Sequence, residues 1–83
     1  MSWRWEYDPS EEHVTGGAPP AFIAEVEKKA DEVVRAAAAF YVEGKAFQGA
    51  SPAGESIDVP GGFFVCIVIP RHECVYIRQV TYI

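Results

Sequence analysis

The stretch ESIDVPGGFFVCIVIPRHECVYIRQV, residues 55–80, decides the fold of this 83-residue chain. It contains three runs rich in β-branched and aromatic residues, and two short turn signals separate them, at residues 60–62 and 70–73. Runs of this kind joined by tight turns are typical of neighbouring antiparallel strands. The pattern therefore predicts a three-stranded antiparallel meander with strands over residues 55–59, 63–69 and 74–83.

The second turn determines which residues of the last two strands lie opposite each other. Directly opposite side chains share a face of the sheet. With Arg71 and His72 at the centre of the turn, Val68 pairs with Val75, Cys66 with Ile77 and Val65 with Arg78. One predicted face carries Phe64, Cys66, Val68, Val75 and Ile77, and the other carries Phe63, Val65, Ile67, Ile69, Cys74, Tyr76, Arg78, Val80 and Tyr82. Both faces are apolar, and the two cysteines lie on opposite faces, so we expect free thiols.

The chain begins with a strand and a short helix. Residues 2–7 alternate between large aromatic side chains and the charged Arg4 and Glu6, and this period of two indicates a half-buried strand. Residues 8–11 form a helix start in which Asp8 caps the helix and Pro9 takes the first helical position. Two glycines at residues 16–17 end this helix after one or two turns.

A long amphipathic helix follows. From Ala21 to about Glu43, apolar residues recur at steps of three and four and charged residues occupy the opposite side. This spacing predicts a helix of about six turns with one apolar stripe. Gly44 stops the helix, and Lys45 to Gly54 form a loop without a phosphate-binding glycine motif. The whole chain, residues 1–83, is therefore expected to be a single α+β domain with its helices packed on one face of the sheet.

Composition and charge exclude several classes of function. The net charge is −5, from 12 acidic and 7 basic residues, with no cluster of Lys and Arg, so strong nucleic-acid binding is not expected. Two cysteines and two histidines without metal-ligand spacing argue against a metal site, and no cofactor motif is present. The sequence has no run long enough to span a bilayer and no signal-peptide pattern, so we expect a cytoplasmic protein without a membrane partner.

The second apolar face is the main functional feature of the sequence. One long helix covers only one side of a sheet, so the second side needs another cover. The possible covers are the N-terminal segment with Trp3 and Trp5 and the short helix, a second copy of the chain, or a different protein. We therefore expect a protein-binding surface, with these binding residues: Phe63, Val65, Ile67, Tyr76 and Arg78.

Residues 55–80 resemble the C-terminal part of the RelE/ParE superfamily of bacterial toxin–antitoxin toxins. In that family a basic strand leads to a Gly-aromatic-Arg step, an apolar strand, a short turn and an apolar last strand. Gly62 and Phe63 match the step, and Arg71-His72-Glu73 match the turn. The resemblance implies a RelE-like fold and an antitoxin-like partner, and its ribonuclease members imply a site of several cations on the sheet.

The chain departs from the family where the chemistry lies. Phe64 stands at the Arg position of the step, and the preceding strand carries two acids and no base. The resemblance therefore implies as candidate site residues only Arg78, Tyr76 and Tyr82. His72, beside Arg71 and Glu73, is a further catalytic candidate because histidine can act as a general base near neutral pH.

Three interpretations of function follow from these residues. The preferred one is a RelE/ParE-like domain that acts through association with an antitoxin-like partner or with itself, and not through nuclease activity. The second is an active toxin, either a ribosome-dependent mRNA endonuclease or a topoisomerase poison. The third is a stand-alone regulatory or structural homodimer.

Overall fold

A computed structural model describes residues 3–40 and 54–83, and within them the chain is an α+β domain, as predicted. In chain order the elements are β1 (Arg4–Tyr7), α1 (Glu11–Thr15), α2 (Pro20–Phe40), β2 (Glu55–Val59), β3 (Gly62–Ile69) and β4 (Cys74–Tyr82). A single 3₁₀ turn, Pro70–His72, joins the last two strands. The predicted end of the long helix at Glu43, its stop at Gly44 and most of the loop over residues 45–54 lie outside the described residues.

The four strands form one mixed sheet in the order β1-β4-β3-β2. Strand β3 pairs antiparallel with both β2 and β4, and β1 lies parallel beside β4. The two helices make the crossover between β1 and the rest of the sheet. The half-buried character predicted for the first strand is confirmed, because Trp5 and Tyr7 are partly buried while Arg4 and Glu6 are exposed.

Both helices pack on the same face of the sheet. The core joins Val14 of α1 and Phe22, Val26 and Ala30 of α2 to sheet residues that include Phe64. Apolar residues at helical spacing on α2 form the predicted stripe, but Phe40 departs from it with a side chain that is 61 % exposed.

A bulge in β4 corrects part of the predicted register. Val68 pairs with Val75 and Cys66 with Ile77 as expected, but Val65 pairs with Gln79 and not with Arg78. One extra residue in β4 reverses the alternation of its side chains beyond this point. Val80 and Tyr82 therefore lie on the helix side of the sheet, contrary to the prediction. Val80 packs against the core, and the Tyr82 ring lies 5.1 Å from that of Phe22.

The predicted start of α1 is also wrong. The helix begins at Glu11, and its N-cap is Ser10, whose hydroxyl accepts a hydrogen bond from the backbone N–H of His13 at 3.3 Å. Asp8 continues the sheet, since its N–H donates to the Ile77 carbonyl at 2.9 Å, and its carboxylate pairs with Arg78 and not with the start of α1. Pro9 consequently lies before the helix and not at its first position.

Candidate binding face

The sheet surface opposite the helices, which we call the open face, has no helix packed on it within residues 3–40 and 54–83. Strand β3 contributes Phe63, Val65, Ile67 and Ile69, all of them partly exposed. The N-terminal segment, one of the three covers considered for this face, packs elsewhere. Trp3, Trp5 and Tyr7 contact the core on the helix side, and Val14 of α1 belongs to that core.

Charged and polar residues border the apolar strip of β3 on both sides. On β2, Ser56 and Asp58 pair with Val65 and Phe63 and share their face. On the other side, β4 carries Arg78, whose Nε lies 3.2 Å from Asp8 Oδ2, with both side chains about half exposed. Strand β1 lies beyond β4, and there Arg4 Nε lies 2.6 Å from Glu6 Oε2. The apolar part of the open face is therefore about one strand wide.

A shallow pocket of about 350 Å³ lies at the border between the apolar strip and the ion pairs. Two strands and two connections form it: Ile67 and Ile69 come from β3, Tyr76 and Arg78 from β4, His72 from the 3₁₀ turn and Asp8 from the segment that follows β1. Tyr76 lies opposite Ile67, and Arg78 is the extra residue of the bulge in β4. Both residues line the pocket, so both side chains lie on the open face.

The His72 and Tyr76 side chains form a hydrogen-bonded pair in this pocket. His72 Nδ1 lies 2.8 Å from Tyr76 Oη, and the two rings meet edge to face with centroids 5.8 Å apart. The turn that carries His72 is held in place, since Arg4 Nη1 donates to the His72 carbonyl at 3.3 Å. Glu73 adopts a left-handed conformation, φ 51°, and its N–H donates to the Pro70 carbonyl.

Tyr76 is a hydrogen-bonding group and not a base at neutral pH. Burial raises the pKa of its hydroxyl, and Cys74 beside it raises the pKa further. The phenol therefore keeps its proton well above neutrality. It can accept a hydrogen bond from His72 and donate one to a ligand, or donate to His72 and accept from the ligand, depending on which ring nitrogen of His72 carries the proton.

The pocket brings together three of the four catalytic candidates, Arg78, Tyr76 and His72, and separates the fourth. Tyr82 lies on the helix side against Phe22, beyond the bulge. The five expected binding residues all lie on the open face. Sequence reasoning missed Asp8, which it assigned to a helix cap, because only the parallel pairing of β1 with β4 places Asp8 beside Arg78.

The cysteines and the metal-ligating residues do not form a reactive site. Cys66 and Cys74 are both free and buried, and burial raises the pKa of each thiol. Among residues 3–40 and 54–83, no group of three His, Cys, Asp or Glu side chains is arranged to hold a metal ion. No helix in the described part of the chain is both long enough and apolar enough to cross a membrane.

Comparisons of the chain with protein-family models, with curated proteins and with solved structures give no match. The functional interpretation therefore depends on the geometry of the open face and its pocket.

Proposed function

We propose that this chain is a small cytoplasmic binding domain of RelE/ParE-like character, and that its open face receives a segment of a partner protein. One observation carries the proposal. The apolar strip of β3 is partly exposed, and the N-terminal segment, one of the possible covers, packs on the other side of the sheet. An apolar strip rimmed by polar residues is typical of a protein-binding surface.

The width of the strip favours a segment of another chain over a second copy of this one. Stacked sheets bury apolar side chains from several adjacent strands. Here the apolar residues come mainly from β3, with Asp58 on one side and the Arg78–Asp8 pair on the other. A single helix or extended segment matches a strip of this width.

The resemblance of residues 55–80 to RelE/ParE toxins supports a partner of the antitoxin type. The same residues also limit the chemistry, because Phe64 stands where the family carries an arginine. Phe64 is fully buried in the core, so its position contributes to packing and adds no cation to the open face.

A double substitution on the open face tests the proposal. Replacing Tyr76 and Arg78 together by Ala should reduce recovery of the partner at least about tenfold while the domain stays folded, since arginine and tyrosine are common binding hot spots. A matched control replaces Lys28 and Arg35, both exposed on α2, by Ala. Recovery is measured by quantitative mass spectrometry after affinity capture from the source cells.

Sedimentation and thermal unfolding complete that experiment. The proposal expects a monomeric wild type, equal melting temperatures within a few degrees, and a partner retained by the control but lost from the double variant. A wild-type dimer that the double substitution dissociates would assign the face to a second copy. A double variant that unfolds, or a wild type that stays monomeric and captures nothing, would contradict the proposal.

RNA cleavage is a second candidate function, and the grouping of His72, Tyr76 and Arg78 around one pocket favours it. Cleavage of a phosphodiester needs proton transfer and stabilisation of the negative charge that develops. Among the described residues that line this pocket, Arg78 is the only Lys or Arg, and Asp8 already pairs with it. Growth arrest on expression, abolished by Arg78→Ala, would promote the nuclease over the binding domain.

A further inference from the structure

We propose that the pocket of Asp8, Ile67, Ile69, His72, Tyr76 and Arg78 binds a carboxylate that the partner segment carries next to aliphatic carbon. This inference rests on the proposed function and names the chemistry by which the partner is recognised. In the simplest case the group is a glutamate or aspartate side chain whose methylene groups lie on the apolar strip.

Arg78 supplies the main donor for such a carboxylate. Its contact with Asp8 uses Nε, at 3.2 Å, and leaves the two terminal amino groups of the guanidinium. A guanidinium presents paired N–H donors whose spacing matches the two oxygens of a carboxylate. The Asp8 backbone is itself anchored to β4 through the Ile77 carbonyl, one residue before Arg78. This backbone hydrogen bond fixes the position of Asp8 beside β4.

Tyr76 supplies a second donor on the same side of the pocket. It lies two residues before Arg78 on β4, which separates the two Cα atoms by about 6–7 Å. When the His72 Nδ1–H donates a hydrogen bond to Tyr76 Oη, the phenol O–H is left to donate a hydrogen bond into the pocket. A phenol keeps its proton at neutral pH, and the raised pKa of Tyr76 extends this to higher pH.

Ile67 and Ile69 make the remaining wall apolar. Ile67 lies directly opposite Tyr76, and Ile69 lies opposite Cys74 at the end of the β3–β4 pair. An ion without carbon, such as phosphate, would gain no binding free energy from contact with these apolar side chains. A carboxylate on a short aliphatic chain would place its charge at Arg78 and its methylene groups against the isoleucines.

Hexanoate is the probe that tests this inference, because it carries one carboxylate on a flexible aliphatic chain. Binding is followed by NMR through the Arg78 side-chain N–H and the Ile67 and Ile69 methyl groups of the whole domain. We expect saturable shifts with a dissociation constant in the range of about 1–10 mM. Hexanamide, which has the same shape without the charge, and acetate, which lacks the chain, should each bind at least about fivefold more weakly.

Two variants locate the binding. Arg78→Gln should weaken hexanoate binding at least about fivefold, whereas Arg71→Gln, at an exposed position of the turn that does not line the pocket, should leave it unchanged. Equal binding of hexanamide and hexanoate, retention of binding by Arg78→Gln, or the absence of saturable shifts would overturn the inference. If any of those results is obtained and a partner is still captured through the open face, the proposed function stands. Only the proposal that the partner presents a carboxylate is then rejected.

Discussion

Tyr76 and Arg78 are at least partly exposed to solvent, and the sheet fixes their positions. Residues that contact a partner but contribute little to the stability of the fold are expected to have both properties. Arg78 is half exposed and pairs with an equally exposed Asp8. A surface ion pair of this kind contributes about 0–1 kcal/mol to stability. Cys66 on the opposite face behaves differently, because its side chain is 2 % exposed and belongs to the core.

The Cys66 thiol makes stability depend on pH in the alkaline range. Burial raises its pKa from 9.0 to about 11, and the negative charge of Glu55 adds to the effect. The unfolded chain releases the thiol proton near pH 9, whereas the folded chain retains it. The stabilisation is therefore fully present below about pH 9 and is lost as the pH rises toward 11.

Urea unfolding of the wild type and of Cys66→Ala measures this effect. Between about pH 8.5 and about pH 10.5, the free energy of unfolding should fall by about 1–2 kcal/mol more in the wild type than in the variant. Tyr7, whose pKa burial and Glu27 also raise, is present in both proteins and cancels from the comparison. Parallel pH profiles would show that the thiol is not buried as described.

At the scale of elements, the junction of β3 with β4 depends on one glycine. A Cβ added at Gly62 would lie 2.0 Å from the Thr81 carbonyl oxygen and 3.0 Å from the Phe22 ring. The first contact is with backbone and cannot be relieved by rotating a side chain. Gly62 also pairs with Tyr82 at the end of the β3–β4 ladder, next to the place where α2 packs.

Gly62→Ala should therefore separate the two strands and cost about 2–4 kcal/mol of stability. Gly17→Ala is the matched control, because nothing lies within 4 Å of the added Cβ although φ is +86°. That control should cost about 1–2 kcal/mol, from backbone strain alone. The two costs are compared by chemical denaturation, and a Gly62 variant no less stable than the Gly17 variant would contradict the described packing of β4.

The elements that sequence predicted well are those whose signal is local. Alternation in residues 3–7 and the apolar run before Pro70 depend on each strand alone, and so does the helical spacing from Phe22 onward. The bulge was missed because it depends on how two strands fit together. Its one local signal is the pair of consecutive polar residues, Arg78 and Gln79, which interrupts the alternation of β4.

The pocket was predictable only in part, for the same reason. Tyr76 and Arg78 follow from the alternation of one strand, and His72 follows from the position of the turn. Asp8 is 70 positions from Arg78 in sequence and reaches it only through the parallel pairing of β1 with β4. That pairing has no sequence signal, because it depends on the crossover made by the two helices.

At the scale of the whole molecule, the two surfaces differ in charge. Residues 11–40, which form the helix layer, carry six acidic and three basic residues. On the open face, the cations Arg4 and Arg78 are each paired with a carboxylate. Within residues 3–40 and 54–83, neither surface offers the clustered cations that bind a phosphate backbone through release of counterions.

We therefore expect the purified domain neither to cleave naked RNA nor to bind duplex DNA more tightly than about 1 μM at about 150 mM salt. Gel-based cleavage assays and fluorescence anisotropy measure the two quantities. Binding below 1 μM that weakens steeply with added salt, or cleavage lost in Arg78→Ala, would favour the toxin over the binding domain.

The central claim is that the open face, and not the helix layer, receives a segment of another protein. Photo-crosslinking tests it most directly, with p-benzoylphenylalanine placed at Val65 on the open face or at Ala36 on the exposed side of α2. The proposed function predicts that, in the source cells, position 65 crosslinks to one defined partner chain and position 36 does not. Crosslinks to a second copy of the domain, identical products from both positions, or no product from position 65 would contradict it.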